Sequence, residues 1–335
     1  MEVDITDYIF LSREIPLPLS ALKIINDRIS FSEVLNYTPT KFENLLHNMN
    51  KFEKVVIRNI DKKVNNFVYK SSDKTYYKIK NNLKICKENN IKVLSFFDED
   101  FPANLKRIKQ PPKLVFIKGT IEKRDKKAVA IIGTREPTKY GREMAKKIAE
   151  RFSELGFTIV SGLARGIDTI AMKSALESNG RVIGVIASGI LNLYPPENKP
   201  LIPKLVKNGA LISERFPLKN VNVTALQLRN RITSGFGLAN IFVEGTQSSG
   251  TKWQFKFGNQ QEKLPVGVVP KCNDYKQAYI PNWIINEKGG LQLSTIDDVD
   301  KIAEIILRQE IRGNSGDKDD ESELKQTTIF KYGSK

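Results

Sequence analysis

The chain has 335 residues, 40% hydrophobic and 27% charged, enough apolar material for one large domain with a small companion or for two ordinary domains. Lysine and arginine number 54 against 38 acidic residues, a formal net charge of +16 that attracts polyanions, although a Lys-, Ile- and Asn-rich composition accounts for such a balance equally well. One histidine, His47, and two distant cysteines, Cys86 and Cys272, argue against a zinc site, a Ser-His-Asp triad and a disulfide framework.

Residues 1–20 begin with Glu2, Asp4 and Asp7 rather than a basic segment, and no apolar run reaches membrane-spanning length. The expectation is a cytoplasmic protein. Across residues 1–65, "PLSALKIINDRI" and "KFENLLHNMNKF" carry helix-period patterns between polar turns, and predict a small helical N-terminal domain. Residues 66–127 are strongly basic and read as a lead-in packing on the main domain. There the Pro111-Pro112 pair interrupts regular structure before "KLVFIKG", a short strand closing in a glycine turn.

From 128 to 310 the pattern is α/β. Short continuous runs, "VAII" (129–132), "FTIV" (157–160), "RVIGVIA" (181–187), "ALIS" (210–213), "NIFVE" (240–244) and "LPVGVVP" (264–270), read as strands buried on both faces of a mostly parallel sheet. Between the first two, Met144, Ala145, Ile148, Ala149, Phe152 and Leu155 recur at helical spacing, with Gly156 as the stop. A second helix is expected from Asp168, as its N-cap, to a stop at Gly180. Strands alternating with helices predict a Rossmann-like, doubly wound sheet with helices on both faces. Residues 311–335 are polar and aperiodic and are expected to be disordered.

In such a sheet, ligands sit outside the carboxyl ends of the strands, so the loops that follow the strands hold the chemistry. "GTREPTKYG", "SGLARGID", "SGILNLYPPEN", the long segment through "RNRITSG", and "GTQSSGTKW" bring Arg135, Lys139, Arg165, Arg229, Arg231 and Lys252 to one edge. Glu136, Asp168 and Glu244 are the carboxylates that can share it. Glycine loops opening helices offer free backbone N–H groups, and arginine forks added to them suit several phosphates in a row. Each piece has a plainer reading. Arg135 can pair with Glu136 or Asp168, Asp168 can cap its helix, "RNR" can be a solvated helix start, and "YPPEN" can be only a turn.

The run from "VAIIGTREPTKYG" through "NLYPPENKPLI", continued by "GALISERFP" and "RNRITSG" and preceded by "VLSFFDEDFPANLKRIKQPPKLVFIKG", resembles the DNA-processing protein A (DprA/Smf) family over roughly residues 90 to 250. The resemblance implies a homodimer that binds single-stranded DNA without catalysis, protects strands during transformation-type DNA uptake and recombination, and loads a RecA-type recombinase. It implies no cofactor and no metal. Its strand pocket corresponds to Gly133, Thr134 and Arg135, flanked by Ser161, Gly162, Arg165 and Gly166 of the Ser161–Asp168 loop and by Arg229, Asn230 and Arg231. The loops add Lys139 and Lys252.

The chain departs from the family where Met172 replaces a histidine and where "TALQL" lacks the aromatic and basic residues usual before R-N-R; a leucine offers no face for base stacking. Trp253, Phe255 and Phe257 are alternative stacking groups, or core. The sequence after residue 310 is too short for the winged helix many members carry. The alternative function is a nucleotide-binding or nucleotide-cleaving Rossmann-like protein in signalling or defence, with Glu244 and Asp168 as candidate acids. NAD chemistry is disfavoured, because the glycine spacing is wrong and strand two ends in Ser-Gly rather than an acidic residue.

Overall fold

The computed structural model describes residues 3–70, 73–272 and 275–315. Its centre is a nine-stranded sheet made of β1 (Ile91–Ser95), β2 (Leu114–Gly119), β3 (Ala128–Ile132), β4 (Thr158–Ser161), β5 (Val182–Val185), β6 (Gly209–Ser213), β7 (Ala239–Phe242), β8 (Leu264–Val268) and β9 (Leu291–Leu293). The strand order is β1-β2-β6-β5-β4-β3-β7-β8-β9. From β6 to β9 every pairing is parallel, with Val129 level with Ile159 on one side and Ala239 on the other. β2 joins β6 antiparallel, Phe116 opposite Ser213, and β1 pairs antiparallel with β2. The chain winds outward from β3 to β6 and then returns to the other side of β3 with β7, so the topological switch lies between β3 and β7.

Alternate residues of the strands feed two cores, as a two-sided sheet requires. Val129, Ile131 and Ile159 pack with Met144, Ile148, Phe152 and Ala171 of the helices Lys139–Glu154 and Ile167–Glu177. Ala128, Ala130, Val160 and Ile183 pack on the opposite face with Ile232 and Phe236 of the helix Val223–Phe236 and with Leu105 and Ile108. The expected doubly wound α/β fold with helices on both faces is present.

The sheet reaches beyond residues 128–310, since β1 and β2 come from the basic lead-in. The helical region likewise runs past residue 65, through the helices Ile60–Lys70 and Asp73–Glu88. The N-terminal helices dock on the sheet by specific bonds. The Tyr8 hydroxyl donates to the Lys113 carbonyl at 2.6 Å, and Lys113 Nζ donates back to the carbonyls of Ser12 at 3.0 Å and Leu17 at 2.8 Å. A π-helical turn, Phe10–Glu14, carries Arg13, whose guanidinium donates to the Glu214 carbonyl and stands over the rings of Phe116 and Phe216. The helix Asp298–Ser315 extends past residue 310, and residues 316–335 of the expected disordered tail lie outside the described residues.

Two local expectations are corrected. Asp168 does not cap the second crossover helix: Gly166 is the N-cap at φ +78, and Asp168 already lies in the first turn. That helix stops at Glu177 because Asn179, not Gly180, takes the left-handed conformation, at φ +57.

Candidate nucleic-acid interface

β3 ends in Gly133-Thr134-Arg135, and the following helix starts at Lys139 with Thr138 as its N-cap. In a dinucleotide-binding domain the N-terminus of this helix receives a pyrophosphate. Here Glu244, at the end of β7 and 1% exposed, fills the position. Its carboxylate accepts from the Thr138 N–H at 2.9 Å, the Thr138 hydroxyl at 2.6 Å and the Tyr275 hydroxyl at 3.2 Å. The switch-point crevice is therefore closed by the protein's own anion, which the helix dipole also favours. Arg135 and Lys139 are left exposed in front of it, and neither forms an ion pair among the described residues.

The second loop, 161–168, is held from within. Ser161 is fully buried, its hydroxyl donating to the Ile131 carbonyl at 2.6 Å, so it positions the loop rather than facing outward. Gly166 sits so close to the first loop that a Cβ there would lie 2.3 Å from the Thr134 carbonyl oxygen. Asn198, from the "YPPEN" turn, donates to the Leu163 carbonyl and the Thr169 hydroxyl, both at 2.8 Å. Arg165 projects from the loop into solvent and pairs with Glu197 of the same turn.

Gly162 makes room for Arg229, because a Cβ on it would stand 1.3 Å from Arg229 Nη1. Arg229 enters from the helix Val223–Phe236 and is 9% exposed. Its Nη1 lies 4.0 Å from Asp168, the outer limit of an ion pair, and its Nε is buried without a hydrogen-bond partner. The Asp168 carboxylate instead accepts the N–H groups of Gly162 at 3.1 Å and Ala164 at 3.4 Å. Burial raises the Asp168 carboxyl above its ordinary value, while Arg229 and these amides pull it back. Burial pulls the Arg229 guanidinium below its usual value, Asp168 opposes that, and the like charge of Arg135 adds to it.

The structure thus brings Gly133, Thr134, Arg135, Lys139, Gly162, Arg165, Gly166 and Arg229 to the C-terminal ends of β3 and β4. Three other expected residues are differently engaged. Arg231 is held by both oxygens of Glu214, at 2.7 and 2.6 Å, and Asn230 is half-buried on the same helix. Lys252 stands on the β7–β8 side, its Nζ 4.9 Å from the ring centre of Tyr279 and 5.8 Å from that of Trp283. Those rings, with Tyr275, line an open groove of about 810 Å³. Of the three aromatic residues in the helix Thr251–Gln260, Phe257 is buried, Phe255 packs on Phe242 and Trp283, and Trp253 is partly exposed beside Lys256. Tyr275, Tyr279 and Trp283 are aromatic residues of this groove that sequence reasoning did not single out. They were missed because the sequence around them has neither glycine-loop nor basic-motif character. No group of three or more His, Cys, Asp or Glu among the described residues is placed to hold a metal ion. No described helix is long and apolar enough to cross a membrane.

Comparisons with known proteins agree with this architecture. The sequence model of the family described as DNA recombination-mediator protein A matches residues 92–304. The DNA processing protein DprA of Bacillus subtilis is 35% identical over 177 residues, 52% of this chain and 60% of that protein. Protein Smf of Synechocystis is 34% identical over 187 residues, 54% of this chain and 46% of that protein. The chain thus spans about half the length of the curated relatives it matches. The X-ray structure of DprA from Streptococcus pneumoniae superposes with a TM-score of 0.70 at 22% identity, covering 89% of this chain and 98% of that one. A structure of DprA from Helicobacter pylori, described in terms of its single-stranded DNA binding mode, gives 0.57 at 24% identity, covering 65% and 96%. Both show the shared fold. With a family match over more than half its length and the strand-end loops in place, the chain belongs to the DNA recombination-mediator protein A (DprA/Smf) family.

Proposed function

We propose that the protein binds single-stranded DNA along the C-terminal ends of its parallel strands, and that it does so as a binding protein rather than an enzyme. The observation that carries this reading is the free, exposed pair Arg135 and Lys139 in front of a helix N-terminus already satisfied by Glu244. A nucleotide pyrophosphate has no room at that N-terminus, whereas a strand crossing the edge meets Arg135, Lys139 and Arg165 in succession. A single strand also brings bases, for which Tyr279 and Trp283 beside Lys252 offer stacking faces. The Helicobacter pylori relative, a DNA-processing protein A studied for single-strand binding, supports the same reading.

Non-catalytic action is favoured by what the two candidate acids do. Glu244 is buried with three donors, and Asp168 is buried with two loop amides. Both carboxylates hold the scaffold rather than face a substrate. Self-association, delivery of the bound strand to a RecA-type recombinase during DNA uptake and recombination, and a cytoplasmic setting belong to the same proposal and rest on family membership. Light scattering of the purified chain and a strand-exchange assay with a recombinase test the first two. Strand binding is tested by anisotropy of a labelled oligonucleotide, single-stranded against duplex: preference for the single strand supports the reading, and equal or absent binding overturns it.

A further inference from the structure

A second concentration of charge lies behind the open edge, where the N-terminal helices meet the sheet. A cavity of about 320 Å³ is walled by the π-helical turn, the start of β2, the segment after β6 and the helix Val223–Phe236. Its charged lining is Arg13, Lys113, Arg215, Arg229 and Arg231 against one carboxylate, Glu214, five cations to one anion. Glu214 is already committed, its oxygens to Arg231 and its carbonyl to Arg13.

Two of the cations carry a buried nitrogen without an acceptor. Arg215 Nε and Arg229 Nε are buried with no hydrogen-bond partner, and so is the hydroxyl of Ser188, next in the chain to the lining residue Ala187. Buried polar groups are almost always paired, and an unpaired one in a net-positive cavity marks the place of a missing acceptor. An acceptor with several oxygens and more than one negative charge answers both conditions. Ile186, Leu228 and Ile232 add apolar lining. A phosphodiester in mid-strand carries one charge and needs chain on both sides. A phosphate monoester carries nearly two charges, the better match to a lining of five cations and one carboxylate.

We propose that this cavity binds the phosphate monoester of a nucleotide, either a free nucleoside monophosphate or the phosphorylated terminal nucleotide of a strand. The phosphate sits against Arg215 and Arg13, and the sugar and base lie against Ile186, Leu228 and Ile232. The site stands on its own residues and does not depend on the strand reading, but Arg229 lines both regions and connects them.

The test uses the full chain and three probes: one oligonucleotide with a 5′-hydroxyl, the same oligonucleotide with a 5′- or 3′-phosphate, and deoxyadenosine monophosphate. A phosphorylated end held by two or more charge-assisted bonds binds about tenfold or more tighter than the hydroxyl end. Arg215→Gln brings that ratio close to one, and Arg215→Lys, which keeps the charge but not the planar fork, recovers part of it. A phosphorylated strand favoured without competition from the monophosphate assigns the site to strand ends. Binding of the monophosphate, with no preference between strand ends, assigns it to the free nucleotide. Equal affinity of phosphorylated and hydroxyl strands together with no binding of the monophosphate overturns the proposal, and this comparison needs no variant to fold. Tight binding of the hydroxyl strand in that same outcome leaves the strand reading intact, whereas binding of the monophosphate with no binding of the hydroxyl strand removes the strand reading alone.

Discussion

Arg229→Met separates a binding arginine from a structural one. The methionine keeps an unbranched apolar stem and removes the guanidinium that packs against Gly162, and with it the charge. In the folded state Arg229 faces Asp168 at 4.0 Å, an attraction of about 4 kcal/mol at an effective dielectric near 20. Against this stands the desolvation of a guanidinium that is 9% exposed and has an unpartnered Nε, a penalty of several kcal/mol for a buried ion. The two nearly offset each other, and Asp168 keeps the amides of Gly162 and Ala164. Folding stability is therefore expected to change by no more than about 2 kcal/mol in either direction. Strand affinity loses a charge-assisted contact worth about 1.5–3 kcal/mol, roughly 10- to 150-fold. Urea unfolding and anisotropy on the same preparation give both numbers. A stability loss above about 4 kcal/mol, the range for breaking a well-made buried pair, makes Arg229 structural. Unchanged affinity removes it from the interface.

Other expectations follow from the same geometry. Arg135→Ala is expected to weaken single-strand binding by about 1–3 kcal/mol with no effect on unfolding, because Arg135 is exposed and unpaired; anisotropy with an unchanged dissociation constant contradicts this. Glu197→Gln releases Arg165 from its exposed pair and should tighten strand binding by about two- to fivefold, and a weaker complex would place Arg165 outside the strand path. Glu244→Gln is expected to lower stability by about 1–2 kcal/mol while strand binding persists, since the carboxylate caps the Lys139–Glu154 helix. Loss of binding in a folded Glu244→Gln protein argues that the carboxylate meets the ligand. Burial holds the Lys113 ammonium down to about 8, helped by Arg13 and Lys63 and opposed by Glu214. Its folded value lies below the 10.5 of the free side chain, so the unfolded chain binds the extra proton between these values. Stability therefore rises with pH from about 8 to 10.5, Lys263 adding to the same window. Lys113→Met should flatten that rise in urea titrations, and an unaltered slope refutes it.

The strands that were legible in the sequence are those buried on both faces, because continuous apolar runs leave no ambiguity about what they pack against. β9 was missed because Leu291–Leu293 is three residues long, and β1 because its pattern is that of an edge strand, with an exposed Lys92 inside it. At the site, the glycine loops and Arg135 could be read locally, since a strand end dictates where its loop lies. What could not be read is pairing across long separations. The Glu214 that holds Arg231 is 17 residues away, and the Glu244 that occupies the helix N-terminus is 106 residues from Thr138. Arg13 reaches the Glu214 carbonyl where Tyr8 and Lys113 dock the N-terminal helices on the start of β2, a long-range contact with no local signature. Asp168 reads as a cap by position, but it lies inside the first turn and its carboxylate takes the N–H groups of Gly162 and Ala164 instead.

The central claim is that a single strand lies against exposed cations at the ends of the parallel strands. The most direct measurement is fluorescence anisotropy of one labelled oligonucleotide, single-stranded and as a duplex, over a series of salt concentrations. With Arg135, Lys139 and Arg165 each displacing a counterion, log affinity for the single strand is expected to fall with log salt at a slope of at least about −2, with the duplex bound more weakly throughout. Arg135→Ala should reduce that slope by about 0.7. Equal binding of both forms, with a slope that Arg135→Ala leaves unchanged, would mean that the net positive charge attracts DNA generally and that the strand-end loops are not the interface.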